Sequence, residues 1–312
     1  MTPFVVHANL DCEADWAGAP LPPAVARRVS YYAALLAALA PAGADVEVWA
    51  PAPVDPARLL SPPPWRAPAM RVGAPPRADA RWADPAARAA NDRRLALAVA
   101  AAHGAALSGQ RTITSPDEID LPGPWVCKAP WTAAGRDRCR GTGAPTPEQR
   151  TRLQRLLARS GALVLEPWCE RIVDAGVCAR VEPDGAVTAH PPHALLADAR
   201  GGFLGIDLAP PALEPAELAQ LSELVAAAGA ALAALGFTGP FAVDAFAYQA
   251  YQHNARRCFR PLCEINARLS FGWIARALAD RLGTRRLGFS PPPPGATVLI
   301  APADDGITAW CA

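Results

Sequence analysis

Lys128 is the only lysine in a chain whose lysine and arginine residues total 30. Alanine and 35 prolines dominate the composition, and nearly every basic position has become arginine. The two cations are not interchangeable. Arginine is a planar fork, whereas lysine is a compact point charge that fits against phosphate oxygens in a tight site. Lys128 ends the apolar run Pro124-Trp-Val-Cys-Lys128 and precedes APWTAAGRDRCRGTG, a loop with Gly135, Gly141 and Gly143 beside Arg136, Arg138 and Arg140. A point cation in front of a Gly/Arg loop suits anionic oxygens; the competing reading is a solvated lysine at a strand end. A second concentration of chemistry is PLCEINARLSFG at 261–272. Residues two apart in a strand share a face, so Glu264 and Asn266 point the same way. Asp244, in GPFAVDAFAY, is the natural third member, and Arg268 lies two residues beyond Asn266. Carboxylate and amide oxygens are hard ligands suited to Mg²⁺. Burying carboxylates among Val, Ala and Phe without a cation is costly. Asparagine occurs only at 9, 91, 254 and 266, which makes its use beside Glu264 pointed. A third feature, Leu163-Val-Leu-Glu166-Pro-Trp-Cys-Glu170, closes an apolar strand with an acid.

Taken in order, these are a cationic loop, an acid at a strand end and a Mg²⁺-type cluster. The KAP…GR, LEPW, VDAF and EINAR segments together resemble the ATP-grasp enzymes, a likeness covering roughly residues 111–275. The resemblance implies roles by position. Lys128 would contact the α- and β-phosphates of ATP, and the Gly135–Gly143 loop, Arg136 included, would fold over the β- and γ-phosphates. Glu166 would sit at the interdomain hinge near the adenine amino group, followed by Trp168, with Cys169 supplying the hinge N–H that Pro167 lacks. Glu170 and Asp174 both qualify as the ribose carboxylate. Asp244, Glu264 and Asn266 would hold one or two Mg²⁺, and Arg268 would stabilise the transferring phosphoryl group. The loop is richer in arginine than in glycine, which departs from the family pattern. One of its arginines is available to an anionic substrate group.

The elements that must position these residues follow from periodicity. A strand over 3–9, a helix over about 23–40 stopped by Pro41, and a strand at Val46–Trp49 make one β-α-β unit of an open parallel sheet. The segment 51–85 reads as an irregular Pro- and Arg-rich loop, and a helix over about 85–104 closes the first unit. Thr146-Pro-Glu-Gln149 reads as a capping box with proline at the first helical position. A buried strand follows at 162–167, then a hairpin over 173–191 turning at Asp184-Gly185. A long helix spans about 214–235. Phe241–Tyr248 and Phe259–Asn266 form neighbouring antiparallel strands, before a helix at about 272–282 and a last strand at Thr297–Ile300. The expected class is α/β. An open parallel-sheet domain (1–110) precedes an ATP-grasp module (111–312) of two subdomains, 111–168 and 169–312, the second holding the metal site.

The bulk composition narrows the partners. A formal net charge of +1 gives no global field for nucleic acid or an anionic membrane. The acidic N-terminus does not read as a secretory signal. The apolar stretches near 31–40 and 224–237 read as too short or interrupted to span a bilayer. Eight cysteines without Cys-x-x-Cys or zinc spacing read as reduced thiols of a cytoplasmic protein. No Walker-type Gly-Lys-Ser/Thr, nucleophile elbow or dinucleotide glycine fingerprint occurs. The expected reaction is ATP- and Mg²⁺-dependent ligation of a small-molecule carboxylate to an amine or similar nucleophile, by an acyl phosphate. The alternatives are a phosphotransferase on the same scaffold and a non-catalytic nucleotide-binding protein. His7, Asn9 and Arg27 are candidates for holding the acid, and a homo-oligomer is compatible with the sequence.

Overall fold

The computed structural model describes residues 3–7, 10, 12–73, 84–132, 137–198, 202–250 and 256–312. The N-terminal unit is a parallel sheet in the order β1-β2-β3, built from Phe4–His7, Val46–Ala50 and Ala69–Val72. Its third strand lies inside the Pro-rich segment expected to be irregular; four residues between prolines are too few to show a period. A short α1 (Cys12–Trp16) precedes α2 (Pro23–Ala33), whose chain continues as a 3-10 helix over Ala34–Leu39. Ser30 locks this helix to the sheet, its Oγ accepting from the Ala52 N–H at 2.9 Å. The helix expected over 85–104 is two helices, α3 (Pro85–Ala90) and α4 (Arg93–Ala102). The break has a local cause. Asp92 caps α4 by accepting from the Arg94 N–H, and the Asn91 side chain ends α3 by donating both to the Ala87 carbonyl at 2.8 Å and to the Ala267 carbonyl of another element.

Next comes a four-stranded antiparallel sheet, order β4-β7-β5-β6, made by Arg111–Ile113, Leu163–Pro167, Pro124–Lys128 and Arg138–Thr142. A third of the segment read as a Gly/Arg loop, toward its end, is therefore strand β6. Gly141 is needed there because Trp125 crosses it: a Cβ would lie 2.2 Å from the Trp125 ring. Helix α5 (Pro147–Ser160) covers the outer face, with the expected Thr146/Gln149 capping box and Gly161 ending it in the left-handed conformation at φ 73°. Trp125, Cys127, Cys139, Leu153 and Leu163 pack between sheet and helix as a separate core.

The large sheet is antiparallel, in the order β13-β12-β8-β10-β11-β14-β16-β15, with β9 on β8. Its strands are β8 (Glu170–Val181), β9 (Val187–Ala189), β10 (His193–Ala197), β11 (Phe203–Asp207), β12 (Gly239–Ala250), β13 (Arg256–Asn266), β14 (Arg286–Gly288), β15 (Thr297–Ile300) and β16 (Ala309–Cys311). The β8–β9 hairpin turns at Asp184-Gly185 as expected, with Gly185 at φ 85°. Helix α6 (Pro215–Ala234) lies on one face, burying Leu221, Leu224, Val225 and Leu232 against Val177, Val243 and Ile265. At 20 residues it is long and apolar enough to cross a membrane, contrary to the reading of an interrupted stretch, but its apolar face is spent on this core. Helix α7 (Phe271–Leu282) and β14–β16 pack with Tyr31, Leu35, Leu36 and Val48 of the N-terminal unit. The core containing α3 and α4 is the one under α6.

Candidate active site

Two sheets carry charged inner faces toward each other. On the small sheet the cross-strand pairs Lys128–Arg138 and Val126–Arg140 on one side, and Val126–Glu166 on the other, set Lys128, Arg138, Arg140 and Glu166 on one face. The opposite parity, Trp125 and Cys127, enters the α5 core. On the large sheet Asp244 opposes Glu264, while Phe246 opposes both Asp174 and Arg260. Val243, Ala245 and Ile265 take the α6 side.

Two irregularities aim the side chains. Between Asp244 and Phe246, β13 advances from Glu264 to Arg260, a bulge containing Pro261, which leaves Leu262 in the α6 core and both charged residues in the cleft. Between Ala247 and Tyr248, β8 slips from Val173 to Arg171, which brings Arg171 and Asp174 to the same face. Arg171 binds Asp174 at 2.7 Å and lies over the Phe246 ring at 4.1 Å.

Glu166 is the electrostatic centre of the small sheet. Its Oε2 accepts from Lys128 Nζ at 2.6 Å and Arg260 Nη1 at 3.1 Å, and its Oε1 from Arg260 Nη2 at 3.0 Å and Gln110 Nε2 at 3.2 Å. Burial alone would raise its pKa. Lys128 and Arg260 outweigh that and hold the carboxyl far below the ordinary range. Arg260 thus ties one sheet to the other. It shares Glu264's parity and immediately precedes the strand proline Pro261, which was the available signal for it.

The acidic cluster is differently balanced. Burial, then repulsion from Glu264, pushes the Asp244 carboxyl well above the ordinary range, against the pull of Arg171 and Arg268. Asn266 Nδ2 donates to Asp244 Oδ2 at 3.2 Å, and Asn266 Oδ1 accepts from Arg268 at 3.3 Å. Arg268 is held by Glu13 of α1 at 2.7 Å, and Glu264 by Arg93 of α4 at 2.9 Å. Sequence reasoning passed over both partners. Arg93 did leave a trace, because a cation in the first turn of a helix opposes the macrodipole. Among the described residues no group of three His, Cys, Asp or Glu side chains is placed to hold a metal; the set here is two carboxylates and an amide.

Two cations, Arg138 and Arg140, add a positive excess to the cleft. Arg138 is held below its ordinary pKa by burial and by Arg171, and Arg140 by burial, Arg138 and Arg171. Arg140 stacks over Trp168 at 3.7 Å, and the Trp168 N–H donates to the Pro124 carbonyl at 2.8 Å. The half-buried Cys169 thiol donates to the Pro167 carbonyl and is pushed up to about 11 by burial. Glu170 is exposed at the start of β8. Gly135, Arg136 and Asn9 lie outside the described residues. Arg27 pairs with Asp305 at 3.4 Å, and His7 lies on β1.

No family model matches the chain, and no curated protein matches it. Solved structures do. N5-carboxyaminoimidazole synthetase from Staphylococcus aureus aligns at 11% identity over 91% of this chain and 90% of that chain, with a TM-score of 0.56. The Aspergillus clavatus synthase, solved with ADP and 5-aminoimidazole ribonucleotide, aligns at 14% identity over 90% of this chain and 91% of that one, with a TM-score of 0.53. Against the ADP complex of the S. aureus enzyme the match shrinks to 58% of this chain and 45% of that chain. Both alignments run over nearly the whole length of the two proteins compared, so the likeness is one of overall fold; the chain has the ATP-grasp fold.

Proposed function

We propose that the chain is an ATP-dependent, ADP-forming ligase that activates a small-molecule carboxylate for attack by an amine or similar nucleophile. The observation that carries this reading is the opposition of a cationic sheet face, Lys128, Arg138 and Arg140, to the Asp244–Glu264 pair across one cleft. Polyphosphate needs the first face and a divalent cation the second. The structures aligned above include one solved with ADP, which supports the same use of the cleft.

The residues present fit Mg²⁺. Asp244 and Glu264 are crowded enough to repel, and among the described residues the Asp244 oxygens meet no cationic side chain directly. Asp244, Glu264 and Asn266 would hold the ion, which supplies charge neutralisation on the phosphate oxygens when bound. Lys128 and Arg138, paired across β5 and β6, bind and orient the phosphates. Gly135 and Arg136, outside the described residues, would serve to cover them. Arg268, fixed by Glu13 and Asn266, stabilises negative charge on the transferring phosphoryl group. At the hinge end Glu166, Trp168 and Cys169 bound the base, and Glu170 or Asp174 meets the ribose. In the reaction a substrate carboxylate oxygen displaces ADP from the γ-phosphorus. The nucleophile then displaces inorganic phosphate from the acyl carbon. Positioning and charge neutralisation do most of the work, so no histidine base is required.

The test is ADP release with a panel of amino acids and small carboxylates, hydroxylamine being added to trap acyl phosphate as hydroxamate. Lys128→Arg should lower turnover by about 100-fold or more. Glu166 already presents its bidentate edge to Arg260, so a second guanidinium finds only a single-point contact. Normal turnover in that variant would show that Lys128 has no phosphate-binding role.

A further inference from the structure

The elbow between α3 and α4 sends two side chains into the cleft from outside it. Asn91, 6% exposed, exchanges hydrogen bonds with Ala267: Nδ2 donates to its carbonyl at 3.2 Å and Oδ1 accepts from its N–H at 2.9 Å. Ala267 separates Asn266 from Arg268, so Asn91 fixes the strand end that presents both. Arg93, two residues on, is fixed from three sides. Its Nη2 lies 2.9 Å from Glu264 Oε1 and donates to the Thr132 carbonyl at 2.6 Å and the Thr132 hydroxyl at 3.4 Å. Its own backbone N–H donates to the Pro130 carbonyl at 3.2 Å. Nearby, Trp131 donates from its indole to the Arg88 carbonyl at 2.9 Å while the Arg88 guanidinium covers its ring. The elbow therefore fastens the metal-type strand to the segment between Lys128 and the phosphate loop.

This arrangement bears on how many cations the cluster holds. A carboxylate that bridges two metal ions with one oxygen on each needs both oxygens. Glu264 has committed Oε1 to a guanidinium that is almost wholly buried and is held independently of Glu264 by the Thr132 carbonyl, while the Pro130 carbonyl anchors the Arg93 backbone N–H. Oε2 has no partner among the described residues. With Arg93 at full charge, Asp244 and Glu264 keep one uncompensated negative charge between them when both are ionised. Mg²⁺ is commonly held by one or two protein carboxylates, with water and phosphate completing its shell.

We propose that Arg93 is a built-in cation of this cluster, and that the site takes a single Mg²⁺ on Asp244 and Glu264 Oε2 where a doubly bridging carboxylate would take two. The inference rests on the nucleotide and Mg²⁺ reading of the same cleft. Arg93 is a positioning residue here, since it reaches the nucleotide only through Glu264 and the loop stem.

Mn²⁺ binding, counted by electron paramagnetic resonance with saturating ADP, tests it on the intact chain. The wild type should bind one ion. Arg93→Met, which keeps volume and loses charge, should bind two, with calorimetry confirming that ADP still binds. If Arg93→Met does not fold, Arg93→Gln retains a donor to Thr132 and serves in its place. Two ions in the wild type overturn the proposal, and so does one ion in both wild type and a folded Arg93 variant. Absence of both Mn²⁺ and ADP binding in the wild type overturns the ligase reading as well, which separates the two failures.

Discussion

Glu166→Gln tests whether the cleft is tied together by one carboxylate. Four donors converge on its two oxygens: Lys128 and Arg260 on Oε2, and Arg260 and Gln110 on Oε1. A carboxylate accepts all four, whereas an amide keeps one oxygen and turns an NH₂ toward the other two donors. Two charge-assisted bonds are lost, each worth about 1.5–3 kcal/mol, and two cations lose their counter-charge. Arg260 has 3% side-chain exposure and cannot turn to water, but Lys128 at 14% recovers part of its solvation. The expected loss is therefore about 3–4 kcal/mol rather than the full sum. In calorimetry that lowers the melting temperature by roughly 5–6 °C at constant pH. The sign with pH follows from the depressed carboxyl. Its stabilisation is complete above the unfolded pKa of about 4.3 and is lost as pH falls toward the folded value, so the variant should lack that acid-side decline. A double-mutant cycle with Arg260→Gln should show strong coupling between the two sites. A loss under about 1 kcal/mol, with additive single variants, would refute the argument, because it would mean that water satisfies these donors.

Two further outcomes concern the scaffold. His193 is buried between α7 and the large sheet, and burial, then Arg276 and His190, push its pKa down to about 3 from 6.5. The unfolded chain therefore binds more protons, so stability should fall by about 1.4 kcal/mol per pH unit below 6.5, and His193→Gln should flatten that slope in urea titrations. Gly141→Ala places a methyl against the Trp125 ring, which also donates to the Gly143 carbonyl at 2.8 Å. Differential scanning calorimetry should show a loss of about 1–3 kcal/mol; an unchanged melt would mean that the β5–β6 hairpin yields without cost.

The chain's own residues were most legible where a local rule decides structure. The Thr146 capping box, the Asp184-Gly185 turn and the alternation in β12 and β13 needed only neighbours a few residues away. Lys128, Asp244, Glu264 and Asn266 were legible because their residue types contradict the composition around them. Strand β3 and the division of α3 from α4 were not, since four-residue runs and a single Asn91 leave no period to read. The balance of the cleft was likewise hidden. Arg260, Arg93 and Glu13 lie 94, 171 and 255 positions in sequence from Glu166, Glu264 and Arg268, which they hold. Residue order alone carries the chemistry of the chain: one lysine closing β5, Asp244 on β12, and Glu264 and Asn266 two apart on β13. Which charges pair with one another is set by contacts far apart in the chain. Pairing depends on distances closed by sheet register and by two bulges, and those register shifts are set by packing across the sheets rather than by any residue's local preference.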